Sequence, residues 1–224
     1  MRLTIRHRFA FARPLPAGLD SPEAWDALRA GDDSFGLPTA RAAWEAAAAR
    51  SGLEPRARAI ARVADGLGAR SVCSYGAGTG LLEWNFHRIA PQIELVCTDF
   101  APLTVERLGA HFAGVSVVRH DVRADPPLAA DLHLLHRIDT ELSDREWPAV
   151  FARFREPILV VASEFLSARG VVRELVTRTR HPRAEAAGWI RTDDALRALW
   201  AGSHDDRRVQ LADLPGYVLT RRDR

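Results

Sequence analysis

No lysine occurs among the 224 residues: all 31 basic side chains are arginine, and they face 29 acids for a formal net charge of +2. The arginines are spread rather than clustered, so the basic, aromatic-interleaved face that a nucleic-acid partner requires is not expected. Cysteine is nearly absent, with Cys73 and Cys97 alone. That excludes a disulfide framework and a zinc spacing, and no metal site is expected. Both thiols lie in apolar segments and read as small core residues at home in a reducing cytoplasm. No apolar run approaches the roughly 18 residues of a membrane span. The opening MRLTIRHRFAFARPLP lacks the long apolar core of a signal peptide. These readings predict a cytoplasmic protein with no membrane partner.

What is present suffices for one good core: 47% of the residues are hydrophobic and 27% charged. Neither repeats nor low-complexity linkers interrupt it. Residues 1–68 read as a helical cap or lid region. RLTIRHRF alternates like a short edge strand. SPEAWDALRAG, LPTARAAWEAAAARSG and EPRARAIARVADGLG then read as three helices. Ser21 and Pro22 mark the start of the first helix, and Gly31 marks its end.

From residue 69 to 224 the pattern changes to short apolar strands separated by helices. RSVCSY, IELVCT, VSVVRH, DLHLLH and PILVVAS are the strands, each a near-continuous apolar run. Such runs alternating with helices predict an α/β fold with a mostly parallel sheet covered on both faces. DRRVQLADL and GYVLTRR follow a last helix, TDDALRALWAG, as a closing antiparallel pair, which brings the sheet to seven strands. A monomer or a homodimer is compatible with strands at the sheet edges.

The stretch SVCSYGAGTGLLEWNF runs from the first of these strands through Gly76, Gly78 and Gly80 into a helix. In an open parallel sheet this turn lies where ligands bind, beyond the carboxyl ends of the strands. Leu81 stands where G-x-G-x-x-G would carry its third glycine, which counts against a nicotinamide dinucleotide. A phosphate loop of the G-x-x-x-x-G-K-S/T kind has no lysine to complete it. Asp99 ends the next strand about 20 residues on, where an acid meets ribose hydroxyls in this architecture. Two readings of Asp99 stand, a ribose grip and an N-cap for the helix beginning near Pro102. Phe100 offers a ring face to a purine. Asp121, after His120, is either an acceptor for an exocyclic amine or a solvated loop acid.

V-C-S-Y-G-A-G-T-G resembles the first motif of the class I S-adenosylmethionine-dependent methyltransferases, usually V-L-D-x-G-x-G-T-G. VCTDF is similar to their second-strand acid, RHDV to their adenine-contacting acid, and ADLHLLHRIDTELSDREW to their fourth motif. The resemblance covers residues 70–222 and implies a seven-stranded Rossmann-like domain with S-adenosyl-L-methionine as cofactor. It places Ser74, Tyr75, Gly76, Ala77, Gly78, Gly80, Asp99, Phe100, Asp121, Val122 and His136 around that cofactor. One departure stands out: Ser74 occupies the position of an acid that in the family helps hold the cofactor, often near its methionine amino group.

Methyl transfer from a sulfonium asks the protein to align the acceptor and exclude water; a base is needed only when the acceptor must lose a proton. HRIDTEL places His136, Asp139 and Glu141 at the end of the fourth strand. His136 and Glu141 are the candidate catalytic residues, and Glu164 is a further acid on the rim. His133 reads as a hydrogen-bonded sheet residue. Asp144 and Glu146 read as acids satisfying a helix dipole. Trp25 and Trp44 read as packing the cap onto the sheet, with an acceptor-pocket role as the alternative. GDDSFGLP, with Phe35 flanked by Gly31 and Gly36, is the lid candidate. The expectation is a methyltransferase for a small-molecule acceptor, plausible in secondary metabolism. The alternatives are a cofactor-binding protein without activity and, third, an RNA or DNA methyltransferase.

Overall fold

The computed structural model of the chain describes residues 2–9, 15–16, 18–31, 35–180 and 185–222. In chain order its elements are β1 (Thr4–Phe9), α1 (Pro22–Arg29), α2 (Arg41–Arg50), α3 (Glu54–Gly66), β2 (Ser71–Tyr75) and α4 (Leu81–Ile89). There follow β3 (Glu94–Asp99), α5 (Pro102–His111), β4 (Ser116–Arg119), β5 (Leu132–His136), α6 (Trp147–Phe151) and β6 (Ile158–Val161). The chain closes with α7 (Ala168–Arg180), β7 (Glu185–Arg191), α8 (Asp193–Ala198), β8 (His204–Leu211) and β9 (Leu214–Arg221).

The expected seven-stranded sheet is present, in the order β4-β3-β2-β5-β6-β9-β8. The first five of these are parallel to one another, and β9 runs antiparallel to both β6 and β8. From β2 the chain builds outward on one side to β3 and β4, then returns to start β5 on the other. That reversal opens a crevice at the carboxyl ends of β2 and β5.

Both faces of the sheet are buried, and the period of two along each strand divides the core. Val72, Leu132, Leu134, Leu159 and Val161 join the cluster formed with α2–α5, which includes Trp44, Ile60, Phe86 and Leu108. Cys73, Tyr75, Leu135, Ile158 and Val160 join the opposite cluster around Trp147, Phe151, Phe154 and Trp200. Successive side chains thus serve opposite layers, which is why these strands read as unbroken apolar runs.

Local signals set several ends. Ser21 Oγ accepts from the Ala24 N–H at 3.3 Å, with Pro22 at the first helical position of α1. The helix expected over SDREWPAVFARF is shorter, because the Glu146 carboxylate accepts from both the N–H and the Oγ of Ser143 and closes a turn ahead of it. Two elements went unread in the sequence, α7 and β7. The alternating β1 pairs with β7 in a separate two-stranded ribbon rather than at an edge of the main sheet. Asp144 ties this ribbon down: it accepts from Thr4 Oγ1 at 2.7 Å and from the Nε of buried Arg191 at 2.7 Å. Its role is therefore a tertiary clamp and not a helix-dipole acid. Buried Glu174 on α7 accepts from the Arg8 N–H at 3.0 Å and so fastens α7 to β1.

The turn between β2 and α4 is under a tight packing constraint. Gly80 has φ of 70°, and a Cβ there would come within 2.6 Å of Leu108 Cδ2 and 3.2 Å of Phe112 Cε2. The left-handed backbone alone costs a non-glycine residue about 1–2 kcal/mol, and overpacking adds to it. Gly80→Ala is expected to lower the unfolding free energy by about 2 kcal/mol or more, read as a lower urea midpoint; an unchanged midpoint would contradict the packing described here.

Candidate active site

A cavity of about 560 Å³ opens at the carboxyl ends of β2, β3 and β5, roofed by α1 and the β1–β7 ribbon. Its floor is the glycine turn. Gly76, Gly78 and Gly80 all have positive φ, at 66°, 61° and 70°. Besides freeing the backbone, they admit close neighbours: a Cβ on Gly76 would meet Ile138 and one on Gly78 would meet Arg29 Nη2 at 2.9 Å. The turn is pinned from both sides. The Trp44 indole donates to Thr79 O at 2.8 Å, and the Ala77 N–H donates to Thr98 O at 2.8 Å. Trp44 is thus a packing residue that also fixes the turn, stacked on His111 and edge-on to Phe112.

Asp99 holds this arrangement together. Its Oδ2 accepts from the Gly78 N–H at 2.9 Å, and its Oδ1 accepts from the Ala101 N–H at 3.0 Å at the start of α5. The N-cap of α5 is Ala101, with no side-chain cap bond, so Asp99 is not the cap of that helix; it holds the turn just ahead of it, and the same carboxylate also faces the cavity. Burial pushes its pKa up, against the opposing pull of the Ala101 N–H, the Arg29 guanidinium and the Gly78 N–H. Each oxygen retains a lone pair for a further donor.

Ser74 is fully buried and does not line the cavity; its Oγ donates to Glu83 Oε1 at 2.7 Å. Glu83, in the first turn of α4, does line the cavity. Burial raises its carboxyl to about 7, the Ser74 hydrogen bond pulling the other way. Neighbouring Tyr75 contributes backbone to the floor, while its side chain turns into the core, with His133 and Phe154 around the ring. His133 is buried as a sheet residue, bonded through Nδ1 to the Tyr75 hydroxyl at 3.3 Å, and burial lowers its pKa to about 4.

On the β3–β4 side, Asp121 is engaged by Arg123, whose Nε donates to Oδ1 at 3.0 Å. Burial works to raise the Asp121 pKa, but the hydrogen bonds from Arg123 outweigh it and hold it below the usual range. The same guanidinium lies over the Phe100 ring at 5.2 Å. Arg123 went unread in the sequence, although it stands two residues from Asp121. Val122 lines the cavity, and its carbonyl accepts from Arg153.

The opposite wall carries His136 and Glu141. Arg56 on α3 donates through Nη1 to His136 Nε2 at 3.1 Å while its other edge pairs with Asp213. A guanidinium donates only, so Nε2 is the unprotonated nitrogen and the imidazole is the neutral Nδ1–H tautomer. Burial first, and then the Arg56 and Arg137 charges, lower the His136 pKa to about 3. Glu141 accepts from Thr140 Oγ1 at 3.0 Å, and burial raises its carboxyl to about 7. Asp139, the third residue of that cluster, is buried and accepts from the N–H and Oγ of Ser163, joining the ends of β5 and β6. Glu164 sits at the rim, paired with Arg173 at 2.6 Å.

The roof is aromatic and basic. Trp25, Phe35 and Arg29 line the cavity, with the Arg29 guanidinium 5.0 Å from the Trp25 ring centroid. Phe35 meets Phe9 of β1 edge-on at 6.1 Å. The rest of the expected lid, residues 32–34, lies outside the described residues. Asp26 and Arg107 dock α1 onto α5: Asp26 Oδ1 accepts from the Leu103 N–H, and Arg107 donates to Arg29 O. Among the described residues no group of His, Cys, Asp and Glu is placed to hold a metal ion, and no helix is long and apolar enough to cross a membrane.

No protein-family model and no curated protein matches this sequence. Solved structures do. Human N-acetylserotonin methyltransferase, solved with S-adenosylmethionine, matches with a TM-score of 0.58 at 20% identity, over 75% of this chain and 52% of its own. The mitomycin 7-O-methyltransferase matches with 0.60 at 16% identity, over 75% and 54%. An O-methyltransferase from neocarzinostatin biosynthesis, solved with S-adenosylmethionine and 2-hydroxy-5-methyl naphthoic acid, matches with 0.59 at 18%, over 74% and 53%. The fold is that of the class I methyltransferases. This chain spans about half the length of each of those three proteins.

Within this methyltransferase fold, three of the acids lining the cavity, Glu83, Asp99 and Glu141, have pKa values raised by burial, Glu83 and Glu141 to about 7. The sign for stability follows. An acid whose pKa is raised on folding leaves stability intact below its unfolded value near 4.5 and erodes it as pH rises through 7. Glu141→Gln is therefore expected to stabilise the protein at pH 8 by on the order of 1–3 kcal/mol, the difference vanishing below about pH 4.5. Thermal or urea unfolding of the pair across that range checks it; a variant equally or less stable at pH 8 would contradict it.

Proposed function

We propose that the chain is an S-adenosylmethionine-dependent O-methyltransferase acting on a small hydroxylated acceptor. The observation that carries this reading is the buried Asp99 carboxylate locked onto the glycine turn, in one cavity with a near-neutral Glu141. The residues fit the cofactor. The glycine turn leaves backbone without side chains at the cavity floor, and Asp99 has acceptor capacity left for ribose hydroxyls. Phe100, Asp121 and Val122 form the adjoining wall, suited to a purine, with Arg123 fixing Asp121. The volume, about 560 Å³, lies in the range of small-molecule sites. The similar structures support the class: they include methyltransferases of mitomycin, calicheamicin and neocarzinostatin biosynthesis.

When bound, the cofactor supplies a methyl group on a sulfonium, and the chain's residues do the rest. Glu141, oriented by Thr140, accepts the acceptor's hydroxyl proton; a carboxylate with pKa near 7 is matched to that task at neutral pH. His136 stays neutral against Arg56 and forms a polar wall of fixed tautomer rather than a base at Nε2. Trp25, Phe35 and the ribbon residue Ile190 give the acceptor side apolar surface and exclude water. Ser74 favours a second reading, a cofactor-binding protein without turnover.

The test is a calorimetric titration with S-adenosylhomocysteine, followed by methylation assays on a panel of phenols. Wild type is expected to bind, and Glu141→Gln to bind within twofold while kcat falls about 10²–10⁴-fold. Absence of saturable binding to folded wild type at millimolar ligand would overturn the reading. Binding with no methylation of any acceptor would favour the second.

A further inference from the structure

We infer that Glu83, in the first turn of α4, receives the α-ammonium of the cofactor's amino-acid half. The inference rests on the cofactor reading above. Ser74 is fully enclosed and its hydroxyl is committed to Glu83 Oε1 at 2.7 Å, so Ser74 is linked to the cavity through that carboxylate. Glu83 is 2% exposed, lines the cavity beside the glycine turn, and forms no ion pair among the described residues. A carboxylate enclosed in this way is costly when ionised unless a cation meets it. Burial and the neighbouring Asp99 charge raise its pKa to about 7, which an arriving ammonium would reverse.

The charge pattern matches an α-amino acid rather than a simple amine. Arg29, which donates through Nη1 to Phe35 O, lines the same cavity and brings its Nη2 to Gly78, where a Cβ would lie 2.9 Å away. A carboxylate and a guanidinium in one lining complement a zwitterion. Ser74 acts as a positioning residue: its hydroxyl fixes one carboxylate oxygen and leaves the other for the ligand. A purely structural role for Glu83, joining β2 to α4, would need the same Ser74 bond and no ligand.

The experiment compares two ligands on wild type and on Glu83→Gln, which keeps the shape and can still accept from Ser74. S-adenosylhomocysteine carries the amino-acid half; 5′-deoxy-5′-methylthioadenosine keeps the nucleoside and thioether but lacks it. Glu83→Gln is expected to lose tenfold or more in affinity for the first and less than twofold for the second, whose binding also reports that the variant is folded. Equal losses for both ligands, or no loss for either, would overturn the inference. Should the variant fail to fold, wild type is titrated with the deamino analogue of S-adenosylhomocysteine. A tenfold or greater loss supports the role, and unchanged affinity overturns it. If wild type binds neither the homocysteine ligand nor methylthioadenosine, the cofactor reading fails and this one falls with it; if it binds only methylthioadenosine, this inference alone falls.

Discussion

The site depends on a single carboxylate placed between two loops. Asp99 accepts the Gly78 N–H with one oxygen and the Ala101 N–H with the other, and thereby sets the turn after β2 against the turn after β3. Neither loop could hold this shape alone. The glycine turn has three residues in left-handed conformations, and its backbone groups need fixed partners to stay ordered. Trp44 supplies the next constraint by bonding Thr79 O, and through Trp44 the helices before the sheet become part of the cavity floor. A helical lead-in that began as a cover is therefore also a brace.

The electrostatics of the cavity run against stability and in favour of a cationic ligand. Asp99, Glu83 and Glu141 all have carboxyls raised by burial, while Arg29 and Arg56 are drawn in from the helices ahead of the sheet. A core of apolar residues in their place would fold more readily. Acids kept this close, with Arg29 as the guanidinium acting on both Asp99 and Glu141, store a preference for positive charge. Under the proposed function that preference meets the sulfonium and ammonium of the cofactor, and it leaves Glu141 poised to take a proton near neutral pH.

Much of this was legible in the sequence where the signal was local. The five parallel strands, the closing antiparallel pair and the turn carrying Gly76, Gly78 and Gly80 could be read because each is a short run with its own period or punctuation. Asp99 and Glu141 could be placed at strand ends for the same reason. What escaped was held by distant partners. β7 was passed over because Gly188 interrupts it and its pairing strand lies some 180 residues earlier. Helix α7, rich in arginine, gave no clear stop or start beside it. The tautomer of His136 is set by Arg56, 80 positions away. The Ser74–Glu83 pair spans a strand, a turn and a helix, so the substitution at Ser74 looked like a loss when only its own position was considered.

Under the proposed function the turn locked by Asp99 is a cofactor floor and not merely a tight strand–helix connection. A crystal structure with S-adenosylhomocysteine is the deciding measurement. The nucleoside is expected over the glycine turn, with an Asp99 oxygen within hydrogen-bonding distance of a ribose hydroxyl and the Gly78 and Ala101 bonds intact. A ligand bound elsewhere, or one that leaves Asp99 without a contact, would contradict it.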